Sequence, residues 1–456
     1  MGKEFIIFPL AERGHLDVMV ELAKLLHRHG VSITILIARI FSVDDLYIDP
    51  YISRVSNAHP YLSFNRLPLV HPPSNSGSAT LLDHFHLVIP HLKNYLSTSF
   101  AHAIILDFFL SAALEVATEF HLPSYFFFPS SASNLSASFL HLPALHNQLT
   151  ASLEDLGDTP MQFPRTLCPI PASDMIRISG QTNETEAMIV QYKRLTQSAG
   201  IIVNSFQILE PSALDSIAER NRDPRSTLAP VYSVGPITAN DCQEIYSSDV
   251  LQHESLAWLS GQPSMSVVFL CLGSAIPDEQ IREIAVGLER SGQRFLWVVG
   301  VPSPPSVPAL PEGFLERTKL RGLVVKSWVP QVAVLGHPAV GGFVTHCGWN
   351  SALESIVAGV PMIAWPQKKE HMVNKSFLVE EAKLAVAMRG FMGGLVDSNE
   401  IEERVRWLMN SDGGKDLRAR LAAARDCGIA ALRAGGSSFA AIAEIARNGT
   451  LPDLNV

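Results

Sequence analysis

Short apolar runs rich in β-branched and aromatic residues alternate along this chain with segments of helical period, and the alternation stops once and restarts. "EFIIFPL" (4–10), "VSITILIA" (31–38), "HAIILD" (102–107), "SYFFFP" (124–129) and "GIIVNSF" (200–206) read as buried strands. Between the first two, Val18, Met19, Leu22, Leu25 and Leu26 fall at helical spacing, and Gly30 closes the helix. Residues 111–120 and 184–197 read as further helices. From about Val234 to Ser255 the sequence turns polar and loses its period, which marks a linker. Strands resume at 266–273, 294–300, 322–328, 341–346 and 360–366, with helices at 278–291 and 350–358, after 398 and 413, and near 437–447. Strands joined by helices run parallel and are covered on both faces, so the fold class is α/β, with two Rossmann-like parallel-sheet domains facing across a cleft. The expected bounds are 1–237 for the first domain, 238–255 for the linker and 256–436 for the second. The last helix, about 437–456, is expected to pack back on the first domain.

At 456 residues the chain exceeds what one hydrophobic core usually serves. Its net charge of −9 supplies no basic field for nucleic acid, so an anionic ligand must be held by local dipoles and single side chains. The five cysteines, Cys168, Cys242, Cys271, Cys347 and Cys427, have no C-x-x-C spacing, and their odd number argues against a disulfide framework. A reducing, cytoplasmic setting suits them. The N-terminal apolar run is too short for a bilayer and lacks a typical cleavage site. No other apolar window reaches membrane length, so no membrane insertion is expected.

The stretch "GGFVTHCGWNSALES" (341–355) ends a buried run abruptly in His346, Cys347, Gly348 and Trp349. Adjacent residues at a strand end point in different directions, so His346 and Cys347 ligate one ion poorly, and no D-x-D pair offers a divalent site; no metal is expected. A free cysteine is more often a small buried hydrophobe than a nucleophile. Two readings remain open. Ser351-x-x-Glu354 spells a capping box, which would simply satisfy backbone N–H groups. A helix opened by Asn350 or Ser351 directly after a buried strand would equally hold a phosphate on its N–H donors, with His346 beside it and Trp349 shielding one side.

Trp328 through His371, "WVPQVAVLGHPAVGGFVTHCGWNSALESIVAGVPMIAWPQKKEH", resembles the signature box of plant secondary-product UDP-sugar glycosyltransferases, which have the GT-B fold. The likeness continues in "GHL" (14–16), "FFFPSSASNL" (126–135), "VGPI" (234–237), "WLSGQPSMSVVFLCLGS" (258–274), "GLERSGQRFLWVV" (287–299) and "GGSS" (435–438), and the flavonoid- and phenol-modifying branches are most similar. The resemblance implies that Trp328 stacks on uracil while the backbone at Val329 reads the base edge. It implies that Gln331 and Glu354 face the ribose, that Ser274, His346, Asn350 and Ser351 surround the diphosphate, and that Trp349, Glu370 and His371 line the sugar. It makes His15 the general base and Asp107 its partner, in an inverting transfer of glucose from UDP-glucose to a phenolic small molecule.

The UDP-sugar is then a co-substrate, no cofactor is expected, and the protein is expected to act as a monomer. Three departures stand out. Ala11-Glu12-Arg13 precede "GHL" where relatives carry smaller residues, and the loop after Ser274 is short. His371 ends the box where glucose-users usually have Gln, which keeps UDP-galactose open as donor. Transfer to carbon rather than oxygen also stays open, as does a binding module without turnover; the retained His15 and Asp107 speak against the last.

Overall fold

The computed structural model describes residues 3–40, 45–71, 84–141, 156–163, 169–172, 184–224, 226–239, 253–273, 276–299, 310–326, 328–368, 370–391 and 394–449. Contacts divide the chain into two units, one of Met1–Leu149, Arg177–Ala239 and Ala430–Val456, the other of Thr150–Ile176 and Asn240–Ile429. Each is built on one sheet.

The first sheet has seven parallel strands in the order Leu62–Val70, Ser32–Ile40, Glu4–Phe8, Ala103–Asp107, Ser124–Phe128, Gly200–Val203, Val231–Ser233. Central strands of such a sheet are covered on both faces and therefore read as continuous apolar runs. Phe5 to Phe8, Ile104 to Leu106 and Tyr125 to Phe128 are accordingly buried at every position. Chain order reverses between Glu4–Phe8 and Ala103–Asp107. Loops diverge at such a reversal and leave a crevice at the strand C-termini.

The second sheet repeats the plan with six parallel strands: Gly322–Val325, Arg294–Val298, Val267–Cys271, Val340–Thr345, Met362–Ala364, Ala385–Ala387. Its reversal lies between Val267–Cys271 and Val340–Thr345, whose Phe269 and Phe343 stack with centroids 5.0 Å apart. Helix Asp278–Ser291 spans the residues its period predicts and is closed by Gly292 at φ +69.

Several expectations are corrected. Leu62–Val70 forms a strand where no strand was expected. It lies at the sheet edge, where Pro68 costs no ladder hydrogen bond and alternating exposure hides the apolar run. Thr150–Ile176 groups with the second unit, and the return to the first begins at Ala430, inside the helix Asp412–Leu432. A boundary within a continuous helix leaves no loop signature. The expectation that no window reaches membrane length is also overturned, because by length and hydropathy alone the helical stretch Asp412–Asn448 qualifies. A turn with Gly435 at φ +85 divides it into Asp412–Leu432 and Ser437–Asn448, and Ile442 and Ile445 of the second piece are buried. That last helix is fastened to the start of the chain: Lys3 Nζ donates to the carbonyls of Ala446 (3.1 Å) and Arg447 (2.6 Å), and Ser438 Oγ donates to the Gly235 carbonyl (2.5 Å).

Candidate active site

In the first unit, His15 occupies the third position of helix Arg13–Arg28, which follows strand Glu4–Phe8. Its Nδ1 lies 2.8 Å from Asp107 Oδ2. Asp107 ends the neighbouring strand Ala103–Asp107 across the reversal, and its side chain is fully buried. Each carboxylate oxygen is engaged: Oδ2 also accepts from the Leu10 amide (3.3 Å) and Oδ1 from the Phe109 amide (3.0 Å), capping the turn Phe108–Leu110. An ionised carboxylate only accepts, so His15 donates through Nδ1–H, and Nε2 becomes the basic nitrogen of the ring.

One neighbour had escaped sequence reading. Phe109 packs edge-on against His15 at 5.5 Å and 61°, and is 42% exposed. Phe108 beside it is buried against Phe128 and Phe139. The pair Phe108-Phe109 looks like core in sequence; only the turn capped by Asp107 sends one ring inward and the other to the surface.

In the second unit, strand Val340–Thr345 runs into His346, Cys347 adopts φ +67, and helix Trp349–Ala358 begins after Gly348. Left-handed backbone costs a residue with a Cβ about 1–2 kcal/mol. Here it is held by hydrogen bonds on both sides of Cys347: its amide donates to Thr345 Oγ1 (3.2 Å), and its carbonyl accepts from Asn374 Nδ2 (3.1 Å). Gly348 is required because a Cβ there would collide with Nε2 of His346.

The capping box does not form. Gly348 caps the helix without a side-chain bond, which places Ser351 at the third helical position. Ser351 Oγ and Glu354 Oε2 instead share the Gln331 amide, at 2.9 and 2.7 Å. Spacing alone misplaced the cap because Trp349 and Asn350 already have helical geometry. Cys347 is fully buried, its Sγ directed at the Thr345 carbonyl (3.7 Å), and burial pushes its thiol pKa up, the opposite of an activated nucleophile.

His346 and His371 meet edge to face with centroids 4.7 Å apart. Burial lowers the pKa of His346 to about 4, with the Lys368 charge adding to it. His371 falls to about 3, through burial first, then His346 and Lys368. Both rings are therefore neutral near pH 7, and Nδ1 of His346 is buried without a partner among the described residues. Lys368 is a cation that sequence reasoning had passed over.

Trp328 is 41% exposed. Its carbonyl lies 3.1 Å from His253 Nε2 and its ring stands edge-on to His253, while Val329 is buried. Trp349 is buried against Phe377. Glu370 opens helix Glu370–Ser376, and Ser274 lies outside the described residues. The structure thus brings Gln331, Ser351 and Glu354 into one hydrogen-bonded group and His346 and His371 into another. Among the described residues no cluster of three or more His, Cys, Asp or Glu side chains could hold a metal.

A family model for UDP-glucoronosyl and UDP-glucosyl transferases matches residues 222–420. A phloretin 2'-O-glucosyltransferase of Pyrus communis is 42% identical, over 96% of this chain and 98% of its own length. The chain belongs to this transferase family. An anthocyanidin 5,3-O-glucosyltransferase of a Rosa hybrid cultivar is 39% identical over 98% of both chains. The Medicago truncatula glycosyltransferase UGT71G1, solved with UDP-glucose, superposes with a TM-score of 0.84 at 32% identity and 98% coverage of both chains. The protein is a UDP-glycosyltransferase of the GT-B fold, and each of its two sheets carries candidate site residues at its own reversal.

Proposed function

We propose that this glycosyltransferase moves glucose from UDP-glucose to a hydroxyl of a phenolic small molecule such as a flavonoid, inverting the anomeric centre in one displacement. The observation that carries the reading is the 2.8 Å contact between His15 Nδ1 and Asp107 Oδ2, which leaves Nε2 as proton acceptor. The acceptor O–H proton passes to Nε2, and its oxygen forms the new bond to the anomeric carbon. The bond from that carbon to the β-phosphate oxygen breaks, and UDP leaves with the electron pair. An α-linked donor yields a β-glycoside. The exposed ring of Phe109 beside His15 offers a planar acceptor an aromatic edge.

Trp328 stacks on uracil with the Val329 backbone at the base edge, and Gln331 and Glu354 face the ribose. The start of helix Trp349–Ala358, with His346, Asn350, Ser351 and Ser274, takes the diphosphate charge, and Lys368 adds to the field. Trp349, Glu370 and His371 line the sugar. A base supplies about 10²–10⁴-fold, so positioning and leaving-group stabilisation carry much of the remainder. The relatives named for phloretin and anthocyanidin glucosylation and the neighbour solved with UDP-glucose support this donor and acceptor class. The free cysteines Cys271, Cys347 and Cys427 support a reducing, cytoplasmic setting, in which the protein acts as a monomer.

His371 favours a second donor reading, UDP-galactose. A neutral imidazole offers one donor and one acceptor at a different reach from the glutamine usual at this position in glucose-users. The test is a panel of phenols with both donors in competition, the hexosides detected by mass spectrometry and both sugar identity and linkage read by NMR. Hexosides that disappear in His15→Ala while UDP still binds support the proposal; unchanged turnover in that variant overturns it.

A further inference from the structure

Asn374 has no part in the chemistry so far. It sits in helix Glu370–Ser376, three residues after His371, and is 2% exposed. Its Nδ2 donates to the carbonyl of Cys347 at 3.1 Å. That carbonyl belongs to the left-handed residue between His346 and the start of helix Trp349–Ala358. The turn is thus an unfavoured conformation for a residue with a Cβ, and it decides where both diphosphate contacts aim: the imidazole before it and the helix start after it. The helix itself supplies no side-chain cap that would hold this geometry. Strain at such a point persists only where neighbouring groups over-determine it.

We infer that Asn374 is a positioning residue for the diphosphate: by bonding the Cys347 carbonyl it holds the left-handed turn, and with it the aim of His346 and of the helix start. The inference rests on the diphosphate reading given above. The same bond ties the helix opened by Glu370 and His371 to the diphosphate turn, alongside the edge-to-face contact of His346 with His371.

The test is calorimetric binding of UDP and of uridine to the full-length protein carrying Asn374→Ala, in the native background and combined with Cys347→Gly. Glycine adopts positive φ without penalty, so the turn no longer needs an external tie. Asn374→Ala weakens UDP about tenfold in the native background, as expected for a lost buried hydrogen bond that sets contact geometry, and leaves uridine nearly unchanged. In the Cys347→Gly background the same substitution weakens UDP by less than about threefold. A merely structural role would lower the melting temperature without separating UDP from uridine.

Asn374→Ser, which keeps a shorter donor, gives an intermediate loss and serves if the alanine variant does not fold. Equal losses in both backgrounds, or no loss of UDP affinity, overturn the inference. His346→Ala separates it from the reading beneath it. If that variant erases the preference for UDP over uridine while Asn374→Ala does not touch it, only the role of Asn374 falls. If neither changes the preference, the diphosphate reading falls and takes the inference with it.

Discussion

The rings of His346 and His371 stand edge to face 4.7 Å apart, and both are held neutral by burial. Two imidazoles this close cannot both be charged at modest cost, so each disfavours protonation of the other. The charge of the pair therefore stays constant over the range in which both rings are neutral.

Acid stability follows from these shifts. The folded pKa values, about 4 and about 3, lie below the unfolded value of 6.5, so the unfolded chain binds protons first as pH falls. The contribution is complete above pH 6.5 and is lost between there and pH 3–4, on the order of 3 kcal/mol for His346 and about 5 kcal/mol for His371. Melting temperatures measured from pH 7 down to 4.5 should fall, and His371→Gln should flatten the decline. An unchanged slope in that variant would rule out its part.

Asp107→Asn keeps the shape of the site but offers His15 an amide that can present either a donor or an acceptor. The ring is then no longer held with its proton on Nδ1. The expected loss is about 10²–10⁴-fold in kcat, with KM for the UDP-sugar little changed. Steady-state kinetics with one phenolic acceptor check this; a loss confined to KM would contradict the orienting role.

Trp328→Ala removes an aromatic platform that is 41% exposed. Stacking of a base on an aromatic ring is worth about 1–3 kcal/mol, so affinity for uridine and for UDP should fall by a similar factor, about fivefold or more. Titration of both ligands reads it. A loss for UDP alone would place the uracil elsewhere.

Glu210 is fully buried and accepts from the amides of Ala132 and Ser133 and the hydroxyls of Ser133 and Ser205. Burial raises its pKa, against the pull of those donors. Glu210→Ala leaves buried donors without an acceptor, at a cost of about 3 kcal/mol or more. Differential scanning calorimetry should show a melting temperature several degrees lower; a change within error would mean that water replaces the carboxylate.

The two sheets were legible in the sequence because fully buried parallel strands write themselves as unbroken apolar runs, as at Phe5 to Phe8 and Val267 to Leu270. Edge strands were not: Leu62–Val70 carries Asn65, Arg66 and Pro68, and Ala385–Ala387 and Val231–Ser233 have three residues each. At the site, pattern and family resemblance named His15, Asp107, Gln331, Ser351 and Glu354, which the fold pairs through hydrogen bonds. The local conformation between His346 and Trp349 escaped, since the left-handed backbone at Cys347 and its tie to Asn374 arise from tertiary packing and have no local code. Phe109 escaped for the same reason, since it matters through His15, far away in sequence; Lys368 matters through its charge on His371, three residues on, and on His346.

The bonds from Lys3 to the carbonyls of Ala446 and Arg447 join the first strand's end of the chain to a helix translated after the whole second sheet. The second sheet lies wholly within residues made before Ala430, so its hydrogen-bonded core can close while the chain is still being translated. The strands of the first sheet all precede Val234, yet the helix that covers it, Ser437–Asn448, is made only after the whole second sheet. A chain truncated after residue 429 should therefore protect the second unit from proteases and leave the first, the half that carries His15, open to cleavage.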